Sequence, residues 1–348
     1  MSRLLVRNVL FRQVKSYVGG RALFSKCVKG KHPSSGPVPL IRVSSILLRS
    51  PKVSISHSIS ERAFSTDRRA LADDIPPRPS RSLAGKVAIV TGAGCEEDGL
   101  GNGRAISILL AEDGASVVCA DVHLSWAEYT SALIEEEGKG KAVSCQGDVT
   151  KPADCQSIVD AALSTFGRVD ILVNNVGIMG ARGTATNFDL DQWRRGLDVN
   201  ITSMANMVKF AVPGMLQKTE ALGETRGSII NIGSVAGLVG GTPHLLYPTT
   251  KGAVVNMTRA MAAHHGSDGI RVNCVCPGYL YTPMMYAKGM SAQTREERRK
   301  RSLLKTEGNA WDCATAVRFL ASDQARWVTG SVITVDAGTT AVSAIEHV

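Results

Sequence analysis

Tyr247 and Lys251 stand four residues apart in the run LLYPTTKGAVVNMTRAM, and Ser234 precedes the tyrosine by thirteen residues in IINIGSVAG. On a helix, positions i and i+4 lie one above the other, about 5–6 Å apart at Cβ. A phenol beside an ammonium is a way to make tyrosine a usable acid or base. Its unperturbed pKa is about 10, and a nearby positive charge favours the phenolate and lowers that value. A hydroxyl delivered from a neighbouring strand end would then hold a carbonyl or alcohol oxygen. Taken alone, the Y-x-x-x-K spacing is more often a pair on a helix surface, so the elements around it carry the decision.

From Lys86 onward, short β-branched runs alternate with longer helical stretches. Strands are predicted over 87–91, 116–120, 142–146, 171–174, 228–232, 271–275 and 332–335. Helix-like segments begin near Gly101, Ser125, Pro152, Gln192 and Tyr247, and a last one covers 310–320. This alternation predicts βαβ units with right-handed crossovers, and so an α/β fold with a doubly wound parallel sheet of the Rossmann type. The strands lack polar alternation, as burial on both faces requires. One such domain is expected over 85–348, and residues 65–84, rich in proline toward their end, read as its linker. A charged stretch, 284–308, breaks the rhythm late in the chain as a lid-like insertion.

The first strand runs into Thr91-Gly92-Ala93-Gly94-Cys95-Glu96-Glu97-Asp98-Gly99-Leu100-Gly101, ahead of a helix. Glycines at such a turn let backbone approach a pyrophosphate, and the helix N-terminus offers free N–H groups. Asp121 ends the second strand, near the spacing expected of the acid that binds an adenosine ribose. A carboxylate there accepts from a ribose diol and repels a 2′-phosphate, which favours NAD over NADP. Val122 and His123 follow it, so no arginine offsets that repulsion. A tight turn with a capping aspartate is the plainer alternative.

The formal net charge is +9, which raises the question of a nucleic-acid or membrane partner. Fourteen of the 40 Lys/Arg but only two of the 31 Asp/Glu fall within residues 1–70, leaving 26 basic and 29 acidic residues beyond them. The body is mildly acidic, so neither nucleic-acid binding nor membrane insertion is expected. The leader is rich in Arg, Ser, Leu and Val, poor in acids, and without an apolar run long enough to span a bilayer. It reads as a mitochondrial transit peptide over 1–64, with cleavage after Phe64 and delivery to the matrix. A disordered basic tail and a plastid address are the alternatives. The eight cysteines form no C-x-x-C pair and the seven histidines no cluster, so no metal is expected.

These motifs, in this order, resemble the short-chain dehydrogenase/reductase family over nearly all of residues 85–340. The resemblance rests on Thr91-Gly92 with Gly99-Leu100-Gly101, Asp148-Val149, Asn174-Asn175-Val176-Gly177, and Asn200 in LDVNITS. It continues through Ser234, Tyr247-x-x-x-Lys251, Pro277-Gly278 with Thr282-Pro283, and Thr329-Gly330 with Val335-Asp336-Ala337-Gly338. It implies hydride transfer between NAD and a secondary alcohol or ketone, with Tyr247 as general acid/base and Ser234 orienting the substrate oxygen. Lys251 would lower the tyrosine pKa and bind the nicotinamide ribose, and Asn200 would join a proton relay through water. Asp148 and Val149 would meet the adenine, Asn174 and Gly177 the ribose region, Thr282 the carboxamide, and Pro277-Gly278 the same cofactor. A homotetramer or homodimer is also implied.

Three departures from the family pattern stand out. Six residues rather than three separate Gly92 from Gly99, and the acidic extra ones should bulge away from the pyrophosphate. Gly233 replaces a common serine, and Ala337 stands where glycine is usual, for which only a local packing change is expected. A carrier-protein-dependent 3-oxoacyl reductase of mitochondrial fatty-acid synthesis is the rival within enzymes; Asp121 argues against its NADP site, while the cluster at 295–301 leaves carrier docking open. A non-catalytic dinucleotide-binding scaffold is the rival from another class.

Overall fold

The predicted strands are apolar at consecutive rather than alternate positions, and the computed structural model shows the reason. It describes residues 78–96, 99–217, 225–287 and 289–342. Seven parallel strands form one sheet with helices on both faces: β1 (Val87–Thr91), β2 (Ser116–Asp121), β3 (Lys141–Gln146), β4 (Ile171–Asn174), β5 (Gly227–Ile232), β6 (Ile270–Pro277) and β7 (Val332–Val335). Their order is β3-β2-β1-β4-β5-β6-β7, each neighbour pairing in parallel. Ala88 and Val90 point into one core with Val117 and Cys119, while Val87 and Ile89 point into the other with Val118 and Ala120. Every residue of β1 is therefore buried.

The first core is closed by α1 (Asn102–Glu112), α2 (Leu124–Glu137) and α9 (Ala310–Ala321), through Ile106, Leu110, Ile134, Val317 and Leu320. The second is closed by α3 (Pro152–Phe166) and α5 (Ser203–Leu216), through Ile158, Val159, Met207, Val212 and Met215. Between β4 and β5 the chain also forms α4 (Leu190–Leu197), and α6 (Leu246–His265) joins β5 to β6. The helix predicted to start near Gln192 is thus two helices, α4 and α5, joined by a π-helical turn over Asp198–Thr202. The insertion holds two short helices, α7 (Pro283–Tyr286) and α8 (Ala292–Lys300). Two observed strands outrun their predicted ends, so Asp121 lies within β2 and Pro277 closes β6.

The segment 1–64 read as a transit peptide lies outside the described residues, as does the linker as far as residue 77. At the linker's other end Leu83 is fully buried in the first core, and its N–H donates to the Asp113 carbonyl at 2.7 Å. The packed domain therefore begins by Leu83, slightly ahead of the boundary predicted at 85. Among the described residues no helix is long and apolar enough to cross a membrane.

A sheet in this order has its topological switch between β1 and β4, where successive strands begin to be added on the opposite side. All seven strands are parallel, so every loop after a strand emerges on the same edge. That edge collects the ends of β1, β2, β4, β5 and β6 along one crevice.

Candidate active site

The crevice is a cleft of about 920 Å³, lined by residues that leave the C-terminal ends of these strands. At one end, Asp121 is 6% exposed and its carboxylate accepts from the Gly94 N–H (3.0 Å) and the His123 N–H (3.0 Å). The aspartate thus pins the turn after β1 while facing the cleft. His123 and Trp126 pack against each other beside it, their rings tilted by 46° with centroids 4.2 Å apart. Asp148 lies past the end of β3. Burial raises its pKa, but the Thr150 hydroxyl (2.7 Å) and N–H (3.0 Å) outweigh this and hold it below the ordinary carboxylate value.

Gly92 turns the chain with φ of +62°, where a side chain would be strained. Helix α1 starts at Asn102 with Gly101 as its N-cap. A Cβ on Gly103 would overlap the Gly92 carbonyl oxygen, so only glycine lets the helix approach the strand this closely. Gly101, Asn102 and Gly103 line the cleft, whereas Gly99 and Leu100 do not. The glycine pair at the helix mouth is therefore 101/103, two residues later than the predicted 99/101. Arg104, 2% exposed, braces the two flanks of this turn, its guanidinium donating to the carbonyls of Gly99 and Cys95 (3.0 Å for Cys95) and to Thr130 Oγ1 (3.1 Å). Cys95 and Glu96 nevertheless line the cleft, so the start of the bulge stays at its wall.

Toward the other end, Ser234 follows β5 and Tyr247 is the second residue of α6. The Ser234 Oγ accepts from the Ala236 N–H at 3.1 Å, which leaves its hydroxyl hydrogen to donate elsewhere. Lys251, one turn along α6, is 3% exposed, and its Nζ donates to the Ile232 carbonyl at 2.8 Å. Gly177 passes so near that a Cβ there would lie 3.2 Å from this Nζ.

The electrostatics depart from expectation. Burial pushes the Tyr247 phenol above its ordinary value, opposed by a hydrogen bond from Ser234. Burial also holds the Lys251 ammonium down at about 8. The predicted lowering of the tyrosine by the lysine is thus not found in this arrangement. The Nζ is 5.8 Å from the ring centroid, directed to the Ile232 carbonyl, and desolvation dominates both groups.

Asn200, expected to join a relay through water, makes direct protein contacts with its side chain. It is fully buried within the π-helical turn and does not line the cleft. Its Oδ1 accepts from the Ile178 N–H (2.8 Å), and its Nδ2 donates to the Ile178 carbonyl (2.9 Å) and Thr250 Oγ1 (3.0 Å). Its side chain ties the loop after β4 to α6. Asn174 is likewise behind the wall: its Nδ2 donates to Asn231 Oδ1 at 2.9 Å, and the neighbour Asn175 lines the cleft instead. Of the other predicted site residues, Asp121, Asp148, Val149, Gly177, Ser234, Tyr247, Lys251, Pro277, Gly278 and Thr282 all line it. Among the described residues no group of three His, Cys, Asp or Glu could hold a metal.

Asn102, Gly103, Asn175, Trp126 and Tyr279 also line the cleft and are not among the predicted site residues, and Arg298 and Arg301 join them from the 295–301 cluster that leaves carrier docking open. The first two carry a legible signal, Gly-x-Gly immediately before the apolar helix; the others become neighbours only in three dimensions. The remaining departures also resolve. A Cβ on Gly233 would lie 2.7 Å from both Cys274 Sγ and Cys276 Sγ, so these thiols occupy the space of the absent side chain. Ala337 holds φ of +50°, so its cost is backbone strain rather than packing.

Residues 96–340 match a family model described as enoyl-(acyl carrier protein) reductase. The chain is 38% identical to 2-(S)-hydroxypropyl-CoM dehydrogenase 3 of Xanthobacter autotrophicus, over 76% of this chain and all of that one. It is 39% identical to a solved structure from Burkholderia xenovorans assigned to the short-chain dehydrogenases/reductases, with a TM-score of 0.68 over 75% of this chain and 99% of the other. A 7α-hydroxysteroid dehydrogenase, solved with NADH and 7-oxo glycochenodeoxycholic acid, gives 31% identity and a TM-score of 0.67 over 74% and 95%.

Proposed function

The chain belongs to the short-chain dehydrogenase/reductase family, and from that premise we propose that it is an NAD-dependent oxidoreductase acting on a secondary alcohol or its ketone. The observation that carries this reading is a single cleft with a glycine-lined helix mouth and anchored Asp121 at one end, and Ser234, Tyr247 and Lys251 at the other. The cradle suits a dinucleotide: Gly103 brings backbone to the cleft where no Cβ fits, Gly92 and Gly101 where one would be tight, and the N-terminus of α1 opens onto it. Asp121 would accept from the adenosine ribose and Asp148 from the adenine amine. Thr282, Gly278 and Pro277 would bound the nicotinamide end.

When bound, oxidised nicotinamide would supply the hydride acceptor and a positive charge that favours the phenolate. Tyr247 then takes the proton of the substrate hydroxyl, and Ser234 turns its hydroxyl hydrogen from Tyr247 to the same oxygen as charge develops there. Lys251 anchors the cofactor ribose and, with a pKa near 8, changes charge close to neutrality. Asn200 is a positioning residue, holding the Ile178 loop against α6.

Tyr247→Phe tests the assignment. Turnover of secondary alcohols should fall at least a thousandfold while NADH binding, followed by its fluorescence, changes little. Retained activity would refute the role of Tyr247. The matrix address rests on the leader's composition alone, and a fusion of residues 1–70 to a reporter should enter mitochondria; a cytosolic reporter would overturn it.

A further inference from the structure

The insertion gathers its cations unevenly. On α8, Arg295 pairs with Glu307, while Arg299 and Lys300 pair with Glu296 at 2.7 and 3.9 Å. Arg298 and Arg301 are the two of this set that line the cleft, and among the described residues neither has an acidic side chain within ion-pair distance. Three residues apart, they share a helix face. Both guanidinium groups sit over the Tyr279 ring, at 5.3 and 5.4 Å from its centroid. Arg298 Nη2 donates to the Leu280 carbonyl (3.1 Å) and Arg301 Nη1 to Tyr279 Oη (3.3 Å). Each guanidinium has five N–H donors, so most of the ten have no side-chain or carbonyl acceptor among the described residues. Burial holds the pKa of the half-buried Arg298 below the ordinary arginine value, with Tyr279 and the more distant Glu307 opposing that shift and Arg301 adding to it.

Position separates these arginines from the cofactor's acidic end. Tyr279 and Leu280 follow Pro277 and Gly278 at the exit of β6, next to the strand that delivers Ser234. Asp121 ends β2, four strands away, a span of roughly 19 Å at about 4.8 Å per strand. The helix mouth after β1 is three strands away, although α7 returns toward that turn and sets Pro283 and Tyr286 beside Gly99. Two like charges on one face, stacked on a tyrosine and open to the substrate end, form a planar, bidentate receptor suited to an oxyanion.

We propose that Arg298 and Arg301 receive an oxyanion carried by the substrate, so that the preferred substrate is a secondary alcohol or ketone bearing a carboxylate or sulfonate. This deepens the oxidoreductase reading and rests on it. The hydride chemistry is unchanged; the arginines act on recognition through a group away from the reacting carbon.

The test is reduction, by the full-length protein with NADH, of 3-oxobutanoate, 4-oxopentanoate and 5-oxohexanoate. Each is compared with its neutral amide, and 3-oxobutane-1-sulfonate is added to separate sulfonate from carboxylate. At one or more chain lengths the anion should exceed its amide at least tenfold in kcat/KM, chiefly through KM. In Arg298→Gln/Arg301→Gln that ratio should collapse toward one, whereas Arg298→Lys/Arg301→Lys should keep part of it. Amides turned over as well as anions at every length would overturn the proposal. So would a ratio untouched by the Gln variant, or a loss of NADH affinity in that variant comparable to the loss for the anionic ketone, which would assign the arginines to the cofactor. Absence of turnover for every ketone, charged and neutral, would strike at the oxidoreductase reading itself.

Discussion

Replacing Lys251 by methionine should change how stability depends on pH, because burial moves the lysine pKa from 10.5 to about 8. Below pH 8 the ammonium is protonated in both folded and unfolded chains, and the folded state bears the full cost of desolvating it. Between 8 and 10.5 the folded chain has released the proton while the unfolded chain still holds it. The unfolded state then binds more protons, so stability rises with pH across that window. A displacement of about 2.5 units at 1.36 kcal/mol each makes the rise about 3 kcal/mol in total. Methionine fills similar volume without a charge, so the variant should lack this component. Losing the donor to the Ile232 carbonyl adds a cost that is nearly independent of pH and cancels when slopes are compared. Urea unfolding of both proteins at half-unit steps from pH 7 to 10.5 gives the difference curve. That difference should shrink or grow by about 3 kcal/mol in the direction that favours wild type as pH rises. Parallel curves would show that Lys251 is not desolvated as the structure has it, and the reading of its charge near neutrality would fail with it.

Other perturbations test other parts of the molecule. Gly233→Ser places a Cβ against two thiols and should cost about 1–3 kcal/mol by overpacking; in a Cys274→Ala/Cys276→Ala background most of that penalty should vanish. An equal penalty in both backgrounds, measured by urea midpoints, would contradict the packing account. Ala337→Gly relieves a left-handed backbone and should stabilise by roughly 0.5–1 kcal/mol after the entropy of glycine is counted; a lowered melting temperature would refute the strain. Asp121→Ser removes the charge facing the adenosine end, and kcat/KM for NADP relative to NAD should rise at least tenfold. An unchanged ratio would mean that Asp121 does not set cofactor choice.

Much of the site was legible because its geometry is local. The four-residue spacing of Tyr247 and Lys251 puts both on one helix face wherever α6 lies, and a strand followed by a glycine turn and a helix has one compact solution. Parallel topology then brings Asp121, Ser234 and Gly278 to one edge, since every loop after a strand must leave on that side. The glycine register was misread because both 99/101 and 101/103 have the Gly-x-Gly form, and only the contact of Gly103 with Gly92 distinguishes them. Asn174 and Asn175 are adjacent in sequence, but β4 ends at Asn174, whose side chain pairs with Asn231, while Asn175 follows the strand and lines the cleft.

What the sequence by itself determined is the order of elements, the doubly wound sheet and the chemical types gathered along its edge, because these follow from short-range periodicity and spacing. Tertiary structure decided what those groups experience. Burial raises Tyr247 and lowers Lys251 where spacing alone predicted a phenol activated by its neighbour. Packing makes the Asn200 side chain a tie between the Ile178 loop and α6, and leaves Arg298 and Arg301 over Tyr279 with no acid at ion-pair distance among the described residues. Desolvation and the pairing of charges depend on neighbours distant in the chain, and no local pattern of residues encodes who those neighbours are.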